Sequence, residues 1–121
     1  MASYRKKQIS PTFTVASTST SGSTADFSCS QFDDVLFHVN VTAVTAGSVT
    51  LSLQTSPDEG ATWYPLLETL GKVDAISAAA AWTIGARAPI GQRVRLVYTI
   101  ATGPVAFTAI AEGSKRGHAG G

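Results

Sequence analysis

The stretch SPDEGATW, residues 56–63, decides the fold of this chain. It follows the run VTLSLQT, residues 49–55, in which apolar and polar residues alternate as they do in a strand with one buried face. Pro57 sets its own φ, the Asp58 carboxylate can accept hydrogen bonds from turn amides, and Gly60 can take a positive φ without steric cost. The sequence therefore predicts a β-hairpin held by five structural turn residues: Ser56, Asp58, Gly60, Thr62 and Trp63.

Short alternating runs continue on both sides of this turn. The clearest are 34–41 and 93–100, whose inward positions are Val35, Phe37, Val39 and Val41, and Val94, Leu96, Tyr98 and Ile100. Further strands are predicted near 11–16, 25–29, 63–67 and 105–110, a strand and turn near 69–76, and a strand or a single turn near 78–84. A short hairpin turn is predicted at Ala46-Gly47 and a loop over 85–91. About eight short strands with frequent turn signals predict an all-β antiparallel β-sandwich, jelly-roll or immunoglobulin-like in topology.

The 121 residues suit one domain with two polar ends. We expect a flexible basic N-terminal arm over 1–10, a β-sandwich domain over 11–112, and a Gly-rich basic C-terminal tail over 113–121. Five positive charges lie at the ends (Arg5, Lys6, Lys7, Lys115, Arg116), whereas four positive and eight negative residues between them sum to −4. Basic ends on an acidic body suit contact with an acidic neighbour or with nucleic acid, and solvated ends that aid solubility are the alternative.

The sequence contains no pattern that predicts catalysis, a cofactor or a metal site. Cys29 is the one cysteine, so it cannot form a disulfide within the chain, and it lies far in sequence from His38 and His118. Asp33 and Asp34 are adjacent, which sends them to opposite faces of a strand and prevents them from acting as a paired acid and base. We therefore expect a protein that is not an enzyme and that uses no cofactor and no metal.

The sequence also contains no segment with the form of a targeting signal. The longest apolar runs are shorter than the about 20 residues of a membrane span. No apolar segment follows the basic N-terminus, so it does not have the form of a signal peptide. These features predict synthesis in a cytoplasm and no membrane partner.

Candidate binding residues fall into three groups. Arg5, Lys6 and Lys7 suit an acidic partner, and Arg93 and Arg95 share one strand face, where they form either a partner-binding stripe or a solvated outer surface. Nucleic acid is disfavoured, because aromatic residues interleave with basic ones only around Tyr4. Three rings, Trp63, Tyr64 and Trp82, leave a carbohydrate-binding module open as an alternative.

The turn resembles a known structural motif. Ser56, Asp58, Gly60, Thr62 and Trp63 fit the Asp-box pattern Ser-x-Asp-x-Gly-x-Thr-Trp of sialidase-type propellers. In those propellers the box recurs once per blade, away from the active site. Here it occurs once, in a chain too short for a propeller, so the resemblance implies the turn and not sialidase activity.

A broader resemblance covers roughly residues 33–112. The segments SLQTSPDEGATWYPL and VRLVYTIATGPVAFTAIAEG are similar to parts of small virion proteins of tailed bacteriophages. This resemblance implies a capsid decoration (cement) protein on the capsid exterior, made in the host cytoplasm. Its partners would be the major capsid protein or other virion proteins, and it would form a homo-oligomer, most simply a trimer. A low-copy tail, baseplate or neck component is the alternative within the same group.

Overall fold

A computed structural model describes residues 4–28, 32, 34–66, 69–71, 74–87 and 92–117. These residues form strands and connections, and no helix among them is long and apolar enough to cross a membrane. The strands are β1 (Tyr4–Ile9), β2 (Phe13–Thr18), β3 (Gly22–Ser23), β4 (Phe27–Ser28), β5 (Asp34–Val44), β6 (Gly47–Ser56), β7 (Tyr64–Leu66), β8 (Leu70–Gly71), β9 (Ala80–Arg87), β10 (Arg93–Thr102) and β11 (Val105–Gly117).

The strands form two antiparallel sheets, which confirms the predicted all-β sandwich. The first sheet has the order β1-β11-β5-β9-β8, and β2 also pairs with β11. The second has the order β3-β10-β6-β7, and β4 also pairs with β10. Since β1 and β2 lie end to end along one side of β11, and β3 and β4 along one side of β10, each couple is one interrupted edge strand.

The strand order describes how the chain passes between the two sheets. Eight strands remain when β1 and β2 count as one strand, β3 and β4 count as one, and the two-residue β8 is left out. If these eight are numbered in chain order, their order is 1-8-3-6 across the first sheet and 2-7-4-5 across the second. Most successive strands therefore lie in opposite sheets, as in a double-sheet jelly roll. The segment between β6 and β7 is a hairpin within one sheet, with Leu53 opposite Leu66 and Thr55 opposite Tyr64.

The prediction of a hairpin at Ala46-Gly47 is wrong. β5 lies in the first sheet and β6 in the second, so this junction is a corner that crosses the sandwich. It packs against the β10–β11 corner: the Thr45 amide donates to the Pro104 carbonyl at 3.0 Å, and the Gly103 amide donates to the Ala46 carbonyl at 3.0 Å. Alternation shows that both strands bury one face, but it does not say whether they meet edge to edge or across the core.

The core lies between the inner faces of the two sheets. The inward positions predicted on β5 are all buried, and so are Val94 and Leu96 on β10, whereas Tyr98 and Ile100 are partly buried at the end of that strand. The largest side chains that are almost fully buried are Phe37, Phe107, Leu51, Leu53, Ile76, Ile84 and Leu96. Their burial removes apolar surface from water, which is the main favourable contribution to folding.

Two predicted boundaries differ from the structure. The predicted loop over 85–91 begins too early, because β9 runs to Arg87 and buries Gly85 and Ala86. Gly85 lies opposite Leu36, and a Cβ at this position would collide with the Leu36 side chain. Close packing therefore requires glycine here, and turn geometry does not. The segments predicted as flexible arms also contribute strands, since β1 covers residues 4–9 and β11 extends to Gly117.

Candidate functional site

The hairpin turn is organised by two side chains. Ser56 is fully buried; its Oγ donates to Asp58 Oδ1 at 2.8 Å and accepts from the Gly60 amide at 2.8 Å. Asp58 Oδ1 also accepts from the Thr62 amide at 2.9 Å. Glu59 and Gly60 take φ values of 60° and 92°, which closes the loop between them. These bonds satisfy the turn backbone locally, so the turn residues hold a corner of the fold.

The Asp58 carboxylate is stabilised in its charged form. The hydrogen bond from Ser56 is the main cause that lowers the pKa of Asp58, and the bond from the Thr62 amide adds to it. Hydrogen bonds donated to a carboxylate favour ionisation. The turn therefore contains a permanently charged acceptor at neutral pH.

Arg93 and Arg95, on the outer face of the second sheet, both contact other residues of the same chain. Arg93 Nη1 lies 3.2 Å from Asp26 Oδ1. The Arg95 guanidinium carbon lies 4.2 Å from the centre of the Trp63 ring, and Arg95 Nε donates to Gln54 Oε1 at 2.9 Å. A cation over an indole ring is a stabilising contact. Both residues that we predicted as a partner-binding stripe thus have partners in their own chain.

The three candidate sugar-binding rings do not form one platform. Trp63 is covered on one side by Arg95, and Tyr64 beside it is 52% exposed. Trp82 is on β9 in the first sheet and packs against the core. Stacking on a sugar needs exposed rings on a common surface, so this arrangement disfavours the carbohydrate-binding alternative.

The basic residues of the two chain ends meet in the first sheet. Strand β1 pairs with the end of β11 so that Arg5 is opposite Arg116, Lys6 opposite Lys115 and Lys7 opposite Ser114. The sequence predicted basic ends but not their pairing, because like charges give no attractive signal. Arg93 and Arg95 are in the other sheet, so the five predicted partner-binding residues do not form one surface.

Hydroxyl groups bridge the interruption in each edge strand. Ser10, between β1 and β2, donates its amide to the Ala111 carbonyl at 2.9 Å, and its Oγ accepts from the Ala111 amide at 2.9 Å. Thr24, between β3 and β4, does the same with Leu96 at 2.9 and 3.2 Å. Sequence reasoning missed both residues, although each lies in a Ser/Thr-rich segment that follows or precedes a short strand.

The outer face of the first sheet has a shallow concavity of about 440 Å³, lined by polar and apolar residues of β5, β9 and β11. In it His38 Nε2 lies 3.1 Å from Glu112 Oε1, and His38 Nδ1 lies 3.5 Å from Thr83 Oγ1. The described residues contain no group of three His, Cys, Asp or Glu side chains that could hold a metal ion. Cys29, Asp33 and His118 lie outside the described residues.

Searches with the sequence found no matching family model and no matching curated protein. Two solved structures share the fold. The SPBc2 prophage-derived protein YomS matches with a TM-score of 0.55 and 14% identity, over 90% of this chain and 95% of that one. A protein of Bacillus endospore appendages, described as disulfide-linked pili, matches with a TM-score of 0.51 and 13% identity, over 97% and 88%. At these identities the likeness establishes a common fold and no common function.

Proposed function

We propose that this protein is a structural subunit of a tailed-phage particle, and specifically a decoration protein that binds the outside of the assembled shell. The observation that carries the proposal is the edge of the first sheet. Within the described residues, β1 pairs with β11 on one side and with no strand on the other. Such an edge presents a row of backbone donors and acceptors to which a strand of another chain can add.

The edge is long enough for a specific contact. β1 and β2 continue one another along β11 from Tyr4 to Thr18, with the break at residues 10–12 bridged by Ser10. Backbone pairing along such an edge gives affinity, and alternate side chains give specificity. The shared fold with a prophage-derived protein and with a pilus-forming protein is compatible with a role in assembly.

The mechanism is stabilisation by mass action. A subunit that binds the assembled shell, and not the free shell protein, shifts the equilibrium towards the assembled state. Association of copies around a symmetry axis, most simply as trimers, would multiply weak contacts through effective concentration. A shell lattice repeats each binding site many times, so weak contacts at single edges can together hold an oligomer on the shell.

Quantitative mass spectrometry of intact particles from the natural source tests the proposal. A decoration protein is expected at one copy per shell subunit or at a simple fraction of that number, because it occupies repeated lattice sites. A few copies per particle would overturn the decoration role in favour of a tail, baseplate or neck component. Absence from purified particles would overturn both virion roles.

A further inference from the structure

A groove of about 450 Å³ opens on one side of the sandwich, between β2 at the edge of the first sheet and residues 23–25 at the edge of the second. Its large apolar side chains are Phe13, Val15 and Tyr98, which are partly buried and pack against the core. The Phe13 ring centre lies 6.5 Å from that of Phe37, and the Tyr98 ring centre lies 5.2 Å from that of Phe107. The floor of the groove is therefore continuous with the hydrophobic core.

The rest of the groove lining is uncharged. It consists of small residues and residues with a hydroxyl group: Thr14, Ala16, Thr18, Ser23, Thr24 and Ala25. A charged side chain in this groove would lose hydration without gaining an opposite charge from the lining. An apolar side chain would instead be removed from water, which is favourable. The groove therefore suits an apolar occupant.

Strand β2 also offers a backbone edge beside the groove. Among the described residues β2 pairs with β11 and with no strand on its other side, and its register with β11 is regular from Phe13 to Val15 and shifts before Thr18. Edge strands are usually protected by charge, proline or short length. β1 carries the basic residues 5–7, β7 contains Pro65, and β3, β4 and β8 have two residues each. The six residues of β2 include no charge and no proline, so this edge is open to a further strand.

We propose that the β2 edge and the groove together bind an extended segment of a partner protein in which apolar and polar side chains alternate. The segment adds as a strand beside β2. Because Phe13 and Val15 line the groove from β2, every second side chain of the added strand enters the groove as well. The inference rests on the proposed function, for which it names the chemistry of the shell segment. An apolar small molecule fits less well, since it would fill the groove and leave the backbone edge unpaired.

Three synthetic peptides separate strand addition from simple apolar attraction. The parent peptide alternates Val and Thr over about eight residues, a usual strand length. One derivative is N-methylated at every Val and the other at every Thr, so that each loses the backbone N–H groups of one strand edge. Binding of the labelled peptides to the full chain is measured by fluorescence anisotropy. We expect one derivative to bind at least about tenfold more weakly than the parent and the other to bind within about threefold of it.

A groove-filling variant tests where the peptide binds. Ala25 is exposed and lines the groove opposite β2, so Ala25→Trp fills the groove without changing a buried core position. It should weaken binding of the parent peptide at least about fivefold. The matched control is Ala78→Trp, at an exposed alanine that does not line the groove, and it should bind within about twofold of the unsubstituted chain. Cooperative thermal unfolding checks that both variants are folded, and the peptide comparison needs neither variant.

Several results would overturn this binding site. Failure of the parent peptide to bind, equal binding of all three peptides, or equal weakening by both methylations would reject strand addition beside β2. Unchanged binding to a folded Ala25→Trp variant, or equal weakening by Ala78→Trp, would reject the groove. Peptide binding by a chain that is absent from particles would leave the site standing and reject the decoration role. A chain present at lattice copy number, with an Ala25→Trp variant that rebinds stripped particles normally, would reject the site and keep that role.

Discussion

Single side chains in this protein act by completing backbone hydrogen bonding. Ser56 is buried and serves two groups of the turn at once, and Asp58 accepts from the Thr62 amide. A buried polar group without a partner is costly, so the gain lies in giving the Gly60 and Thr62 amides side-chain acceptors within the turn. The identities Ser, Asp and Gly at these positions follow from that requirement.

Replacing Asp58 should change the pH dependence of stability. Its pKa is lowered in the folded state, so its contribution is present above the ordinary carboxyl pKa of about 3.9 and is lost as the pH falls through the lower folded-state value. Asp58→Asn keeps an oxygen acceptor but does not titrate. Chemical unfolding at about pH 6 and about pH 3 should therefore show a smaller loss of stability on acidification in the variant than in the parent. Equal losses in both chains would show that Asp58 does not contribute.

Gly113 should resist substitution even by alanine. A Cβ at this position would collide with the ring of Phe32, which is buried and stacks on Phe27 with ring centres 6.0 Å apart. Gly113→Ala is expected to reduce the free energy of unfolding by about 1–3 kcal/mol through overpacking, where an unobstructed strand position would gain from the change. In a Phe32→Ala background the same substitution should cost less, and an additive double-mutant cycle would contradict the contact.

At the scale of strands, the sequence predicts which face of a strand is buried better than it predicts which strands pair with one another. Alternation on β5 and β10 correctly predicted which residues are buried, because burial of one face has a period of two. It could not predict that β5 and β6 belong to different sheets, since both bury one face in either arrangement. The turn at 56–63 was predictable because Pro, Asp and Gly are specific to turn geometry.

The hydroxyl bridges were not predictable, because Ser10 and Thr24 resemble ordinary polar loop residues. Their role depends on the amides of Ala111 and Leu96, more than 70 residues away in sequence. The candidate site was predictable only in part for a similar reason. The basic run in the sequence predicted Arg5, Lys6 and Lys7 as site residues. Only the sheet register shows that Lys115 and Arg116 lie opposite that run.

Removing the bridge at Thr24 should destabilise the second sheet. Thr24 is 8% exposed, and Thr24→Val keeps its shape while leaving the Leu96 amide without its acceptor. We expect a loss of about 1–3 kcal/mol in unfolding free energy, measured by denaturant titration. Thr42→Val is the matched control, because its exposed hydroxyl donates to the Ala106 carbonyl and its loss should cost about 0.5 kcal/mol or less. Equal costs at the two positions would contradict the bridge.

For the whole molecule, the first sheet combines a buried inner face with an edge at β1 and β2 that pairs with no further strand among the described residues. The inner strands of the sandwich hold the core, while Ile9 at the end of β1 is 63% exposed. Loss of β1 should therefore leave the sandwich folded and remove the surface that we propose for the shell. Stability and assembly are thus expected to depend on different strands.

We propose that the β1 edge holds the protein on the shell, and a rebinding experiment measures this contact. The full chain and a chain lacking residues 1–9 are added to particles stripped of this protein, and the bound fraction is measured by sedimentation. Both chains are first shown to be folded by cooperative thermal unfolding. We expect saturable binding of the full chain and at least about tenfold weaker binding of the shortened chain, because the pairing edge is gone. Binding of the folded, shortened chain with the affinity of the full chain would contradict it.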